Sequence, residues 1–294
     1  MSLPPLLAGF CSPKKTASKS PCQFRSKETG YTRRMRMEPL ECRCAPSGLG
    51  NLATDFSFNA LDRFALFAMS GSKVDITNPS TELGGDVGLG PHSTQNFSDG
   101  KIDVDLLVDP TANNTHSNNV VIVGHTYSVN LAPDNADALD AASVVAALTP
   151  TRTLGNITGS TTLTSKLGNN VINVISVNAI QLDGSSTLTL QGNSSDYFFI
   201  NVTGKYAQTG TSAIKLTGGL QETHVLFNIL GTGEQVAFTG SSVGEGTYLA
   251  VNRDVSVSGA KIDGVLIGGM NHQIAITSGA KVQVNAPHFV PPVV

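Results

Sequence analysis

The chain has 294 residues, 40% of them hydrophobic, with only 14% charged, 30 glycines and no tryptophan. That apolar content excludes a disordered chain, and few charges with many glycines suit β-architecture rich in turns. The net charge of −3 is unevenly divided: residues 1–45 hold nine Lys/Arg against three Asp/Glu (+6), the remainder ten against nineteen (−9), and an acidic body argues against nucleic acid as a partner.

All four cysteines (Cys11, Cys22, Cys42, Cys44) fall in the first 45 residues. Cys42-x-Cys44 is spaced too closely for an ordinary zinc pair, and no histidine lies near it. Residues 1–32 are dominated by Lys, Ser, Pro and Arg. Their one apolar run, Leu3 to Phe10, contains two prolines and is too short to span a membrane. The stretch Arg33-Arg-Met-Arg-Met-Glu-Pro-Leu-Glu-Cys-Arg-Cys-Ala-Pro-Ser47 resembles the short basic leader, of the form LExLExR, that precedes many bacterial surface proteins. Residues 1–50 are therefore expected to be disordered or cleaved, and are set apart from the fold.

An apolar start follows, Phe56-Ser-Phe58 and Phe64-Ala-Leu-Phe-Ala-Met69, and then a strand at Val74-Asp-Ile76. Gly84 to Pro91 reads as turn, strand, turn; no helix and no Lys follow at the spacing of a phosphate loop. Residues 92–118 are polar, with His92, Asn96, Asn113, Asn114, His116 and Asn118. Asp103-Val-Asp105 puts two carboxylates on one strand face with Asp109 beyond. A solvated face explains them more simply than calcium. Val120 to Val123 and Tyr127 to Val129 read as strands. A helix is expected over 135–148: Pro133-Asp-Asn135 supplies the start, Thr149-Pro150 the stop, and Ala141, Val144, Val145 and Leu148 make one apolar face. Strands resume at Thr162-Leu-Thr164, Val171 to Ile175, Thr187 to Leu190 and Tyr197 to Val202. The last is nearly continuous in apolar residues and should be covered on both sides, the helix being a candidate cover.

From Ala213 to Val284 eight short alternations follow one another: 214–216, 225–229, 236–238, 248–250, 255–257, 265–267, 274–276 and 282–284. Gly- and Ser-rich turns separate them. Val236, Val255 and Ile274 recur every 19 residues; Tyr248, Val265 and Val282 recur every 17. A short fixed period without helices predicts a β-helix spanning 51–288, with 289–294 as a tail. Each coil gives one strand to each of two or three parallel sheets.

Titratable residues in this stretch do not converge into a recognisable catalytic set. Arg253-Asp254 and Lys261 with Asp263 read as exposed ion pairs, and His224 and His272 as lone histidines. No catalytic, metal-binding or cofactor residue is assigned. One face draws attention instead. With Val236/Phe238, Val255/Val257 and Ile274/Ile276 inward, the outward neighbours are Ala237/Thr239, Ser256/Ser258 and Ala275/Thr277. Lys215/Thr217 would extend this face by one coil, and Thr189/Gln191 further. Coils about 4.8 Å apart and i, i+2 side chains about 6.6 Å apart make a grid of small hydroxyl and methyl groups. Its β-branched members have little rotamer freedom, so the grid is stiff.

Phe64 to Ser72, Gly85-Asp-Val-Gly88, the Asp137–Leu148 helix and Tyr197 to Val202 occur in the order seen in the microbial ice-binding β-solenoid family, which the chain resembles. Val225-Leu-Phe-Asn228, Gly246 to Ala250, Asn252 and Gly264 to Gly269 resemble the choice-of-anchor A surface domain. Together the likeness runs from Phe56 to Val284. It implies an all-β fold: a right-handed, discontinuous parallel β-helix of triangular section with a helix alongside. It also implies a non-catalytic, secreted or cell-surface protein that binds an extracellular glycan or matrix. The alternatives are ice binding through the Thr/Ser/Ala face and a polysaccharide-active enzyme. No transmembrane span is expected.

Overall fold

A computed structural model describes residues 61, 63–113, 119–166, 171–283, 289 and 292. The expected leader, Phe56, Phe58, Asn114, His116, Asn118, Val284 and most of the expected tail lie outside the described residues. The first strands are β1 (Phe64–Ala68), β2 (Lys73–Ile76), β3 (Glu82–Gly84), β4 (Asp86–Leu89), β5 (Thr94–Phe97), β6 (Gly100–Ile102), β7 (Leu106–Val108), β8 (Val120–Ile122) and β9 (Thr126–Ser128). Helix α1 (Ala132–Ala147) follows. Then come β10 (Arg152–Ile157), β11 (Thr161–Thr164), β12 (Ile172–Leu182), β13 (Thr187–Gln191), β14 (Tyr197–Val202), β15 (Tyr206–Gln208), β16 (Ala213–Thr217) and β17 (Val225–Ile229). The last are β18 (Val236–Thr239), β19 (Val243–Ala250), β20 (Val255–Ser258), β21 (Lys261–Gly268), β22 (Gln273–Thr277) and β23 (Lys281–Gln283).

Every ladder between these strands is parallel, and they stack into three faces. Face A runs β10, β12, β14, β17, β19, β21, β1, β4, β7, β9. Face B runs from the end of β12 through β15, β18, β20, β22 and β2 to β5. Face C runs β11, β13, β16, β19, β21, β23, β3, β6, β8. Long strands such as β19 and β21 turn a corner and serve both A and C. The fold is the expected parallel β-helix, and it is discontinuous. The amino-terminal coils stack beyond the carboxy-terminal one: Val74 pairs with Ile274, Ile76 with Ile276 and Leu66 with Leu266.

Alternation decides which residues enter the core. Val236, Phe238, Val255, Val257, Ile274, Ile276 and Val74 are all fully buried, and the residues between them face out. One interior column on face A runs unbroken through Ile175, Ile200, Phe227, Tyr248, Leu266, Leu66, Val87 and Leu106. It ends at Arg152 on one side and Thr126 on the other. Polar residues thus close the apolar column at both ends, and Arg152 Nη2 donates to Thr164 O across the mouth of the coil.

Helix α1 covers the outside of face A. It begins three residues earlier than expected, because Pro133 sits within its first turn, where the missing N–H costs nothing. Ala138, Ala141 and Val145 pack with Tyr197, Phe199, Leu226, Leu249 and Phe289 in a second core. Strand β14 is buried throughout, its alternate side chains shared between the two cores. Asn228 Nδ2 donates to Ala142 O at 2.9 Å and Asn201 Nδ2 to Val145 O at 2.8 Å. Three helical residues rise about 4.5 Å and one coil about 4.8 Å, so carbonyls three residues apart in α1 match the spacing of adjacent coils. At its start, Asn135 Oδ1 accepts the Ser70 N–H, and Arg63 lies 3.6 Å from Asp134.

Several expectations are corrected. The 19-residue spacing is a true coil, since Val236, Val255 and Ile274 stack in register. The 17-residue one is not: Val265 stacks on Thr247, whereas Val282 belongs to face C over Ile262. Asp103-Val-Asp105 is a bend between β6 and β7, with Lys101 ion-paired to Asp103. Asp109 organises the chain after β7, accepting from the Thr111 N–H, the Thr111 hydroxyl and the Leu131 N–H. The polar stretch from residue 92 contains β5, β6 and β7 and is a coil in its own right.

Candidate functional site: face B

Face B presents two outward columns. One is Ala207, Ala237, Ser256, Ala275, Asp75, Asn96. The other holds Thr239, Ser258 and Thr277, with Thr209, Thr77 and Ser98 continuing it one residue past the paired strands. Ala237, Thr239, Ser256, Ser258, Ala275 and Thr277 are half-buried by their neighbours, with the adjoining side chains fully inside. Lys215 and Thr217 do not join them. They lie on β16 in face C, where Thr189 stacks on Lys215 and Gln191 on Thr217. The strand that does extend face B is β15, with Ala207 beside Ala237. It is separated from β18 by a 30-residue coil, so the 19-residue period passes over it.

A local signal marks the hydroxyl column. Thr209, Thr239 and Ser258 each precede a glycine at φ +69°, +75° and +70°; Thr277 and Thr77 precede Ser278 and Asn78, also left-handed. These residues turn the corner from face B to face C. A Cβ on Gly240 would stand 2.7 Å from Gly210 O, and one on Gly259 2.8 Å from Gly240 O. At these two coils the corner therefore has no room for a side chain, whereas the coils of Ser278 and Asn78 accept one. Thr217 before Gly218 (φ +76°) carries the same hydroxyl-glycine pair on face C, so the pair alone does not assign Thr209 to face B.

The preceding corner is held by Arg253. It does not pair with Asp254 at the surface. It is buried, and its guanidinium donates to the carbonyls of Gly204, Leu230, Gly231 and Glu234 at 2.6–3.1 Å. Four carbonyl dipoles replace its hydration, so a lone cation is tolerated inside. Burial still draws its pKa below the ordinary value. Asp254 instead accepts from Gln273 N–H, and His272 Nδ1 lies 3.2 Å away.

Face C differs from face B in kind. Lys261 bridges Asp263 at 2.8 Å, Lys281 bridges Glu82 at 2.8 Å, and Lys101 lies 3.8 Å from Glu82. The charges do recur in register here, Lys261 over Lys281 and Glu245 over Asp263. Burial raises the pKa of Glu222 and Glu245, with neighbouring carboxylates adding to it. The depression beside Glu222, Gly246 and Gly264 measures about 10 Å³, room for about one water. A larger groove of about 240 Å³ between α1 and face A, bounded by Leu139, Ala142, Asn228 and Val251, is lined by no titratable side chain. Among the described residues no group of three or more His, Cys, Asp or Glu is placed to hold a metal, and no helix is long and apolar enough to cross a membrane.

A discontinuous parallel β-helix with a helix alongside and one face of small outward residues defines a class of β-solenoids. The family model described as a putative ice-binding-like adhesive domain matches residues 49–275, and the chain belongs to that family. Among solved structures it is similar to the ice-binding protein of the Antarctic ascomycete Antarctomyces psychrotrophicus (19% identity, TM-score 0.57), over 79% of this chain and 100% of that one. It is also similar to an ice-binding protein from an Antarctic bacterium of the Flavobacteriaceae (23%, TM-score 0.54), over 79% and 47%. A third, from an Arctic yeast, is 19% identical with TM-score 0.51, over 80% and 98%. No curated protein matches. At these identities the likeness is one of fold.

Proposed function

We propose that this protein is a non-catalytic adhesive domain, secreted or held at the cell surface, whose face B lies against a repetitive extracellular partner such as a glycan or matrix. The observation that carries this reading is the run of small uncharged side chains across four consecutive coils, Ala207/Thr209, Ala237/Thr239, Ser256/Ser258 and Ala275/Thr277. Such a surface makes many weak contacts at once on a partner with its own repeat, at little entropic cost. The family description is consistent with adhesion.

Ice binding is the second reading. The hydroxyl column favours it, and the similar solved structures are titled ice-binding proteins. Against it, the grid gives way to Lys73, Asp75 and Asn96 beyond β22, which interrupts a lattice match. Thr239→Tyr and Thr277→Tyr separate the readings. Each should melt within about 2 °C of wild type, since the side chains point outward. Each should lose binding to the native matrix, while wild type shows no ice-recrystallisation inhibition. Strong inhibition by wild type that falls in both variants would establish the ice reading instead. Variants that match wild type in both assays would remove face B from function.

A further inference from the structure

The amino-terminal coils add something to face B that the carboxy-terminal coils lack. Strand β2 stacks on β22 and β5 on β2, so Lys73 stands between Gln273 and Thr94, and Asp75 between Ala275 and Asn96. Val74 and Ile76 are in the core, which turns Lys73 and Asp75 outward. Thr94, Asn96, Lys73 and Gln273 are exposed; Asp75, at their centre, is only 8% exposed. One of its oxygens is held: Oδ2 accepts from Gln273 Nε2 and lies 3.4 Å from Lys73 Nζ. The other, Oδ1, is buried and meets no donor among the described residues.

A buried carboxylate oxygen without a donor is costly, and here the carboxylate is already oriented by its partners. Lys73 neutralises the charge, so what Oδ1 lacks is a hydrogen-bond donor rather than a cation. Around it stand amides and a hydroxyl that both donate and accept, about 4.8 Å apart between coils. We propose that Lys73, Asp75, Thr94, Asn96 and Gln273 form a subsite on face B that reads the hydroxyl groups of a neutral polysaccharide. The subsite rests on face B being the adhesive surface and names the ligand class that surface takes. A polysaccharide supplies neutral donors at a regular repeat, so one end of the chain is gripped at Asp75 while the rest lies along the small-residue columns.

Co-sedimentation with insoluble cellulose, chitin and β-1,3-glucan tests this. Wild type should bind at least one. Asp75→Ala, Asp75→Asn and Asn96→Ala should each weaken that binding tenfold or more. Lys101→Ala on face C should not, and melting curves should remain close to wild type. Asp75→Asn keeps the side-chain shape and Asn96 is exposed, so at least these two variants report on recognition rather than folding. If all three bind like wild type while Thr277→Tyr does not, the subsite is overturned and face B stands. If wild type binds none of the polysaccharides but does bind a protein matrix, the subsite also falls and adhesion stands. If wild type binds ice alone, both fall.

Discussion

Val257 and Ser256 are neighbours in β20 with opposite fates. Val257 is fully buried and stacks between Phe238 and Ile276, whereas Ser256 faces out between Ala237 and Ala275. Val257→Asp would put an unpaired charge into a dry column, and should cost roughly 4 kcal/mol or more. Ser256→Asp should cost about 0.5 kcal/mol. Thermal melts should therefore separate the two by roughly 10 °C; equal losses would overturn the inward–outward assignment. This contrast is readable from the sequence because strand side chains alternate with a period of two. Arg253 is the opposite case. Nothing in its neighbours announces burial, because the four carbonyls that receive it come from residues 204 to 234, brought together only by coiling.

At the scale of the element, α1 shows how pattern and docking divide the work. Its apolar stripe was legible from Ala141, Val144, Val145 and Leu148, and so was its role as a cover for β14. Its position along the stack was not. That is set by Asn201 and Asn228, adjacent in register on face A, whose amides reach carbonyls one helical turn apart. Asn201→Ala and Asn228→Ala should each cost about 1–2 kcal/mol, by removing a bond to the helix and the bond that Asn228 Nδ2 donates to Asn201 Oδ1, which leaves the surviving buried amide short of a partner. Hydrogen exchange should quicken over the second half of α1, with binding through face B unchanged. Protection equal to wild type would mean that the apolar stripe alone holds the helix.

For the molecule as a whole, stability against pH follows from the balance of buried carboxyls. Burial raises the pKa of Asp86, Asp134, Asp137, Glu222 and Glu245 in the folded protein. Such groups hold protons more tightly folded than unfolded, so their penalty is relieved as pH falls toward the ordinary carboxylate range. Glu82 is lowered, first by the hydrogen bond from Lys281. Asp109 is lowered too: burial opposes the shift, but donors from Thr111 and Leu131 prevail. These two stabilise above their unfolded values, and that contribution is lost as pH falls through their folded ones. The melting temperature should accordingly be at least as high near about pH 5 as at pH 7, and decline below about pH 4. A steady fall from pH 7 to pH 5 would contradict this.

By itself the sequence determined the local grammar of this protein: which segments are strands, which side of each strand is wet, where corners fall, and that one amphipathic helix lies among them. Period-two alternation, β-branched residues and glycine at left-handed corners are properties of a few adjacent residues, so they are written locally. Only the tertiary structure decided which coil stacks on which. Parallel ladders are made of backbone hydrogen bonds, and their columns of Val, Leu, Ile and Phe are nearly interchangeable. Nothing in Ile76 names Ile276 as its neighbour, 200 residues away. The same indifference let Lys215 and Thr217 resemble members of face B while belonging to face C, and hid Thr209, Asp75 and Asn96 from it. Coil lengths, the long return through α1 and the polar ends of the interior column settle the order. They are whole-chain properties, and the composition of face B follows from them.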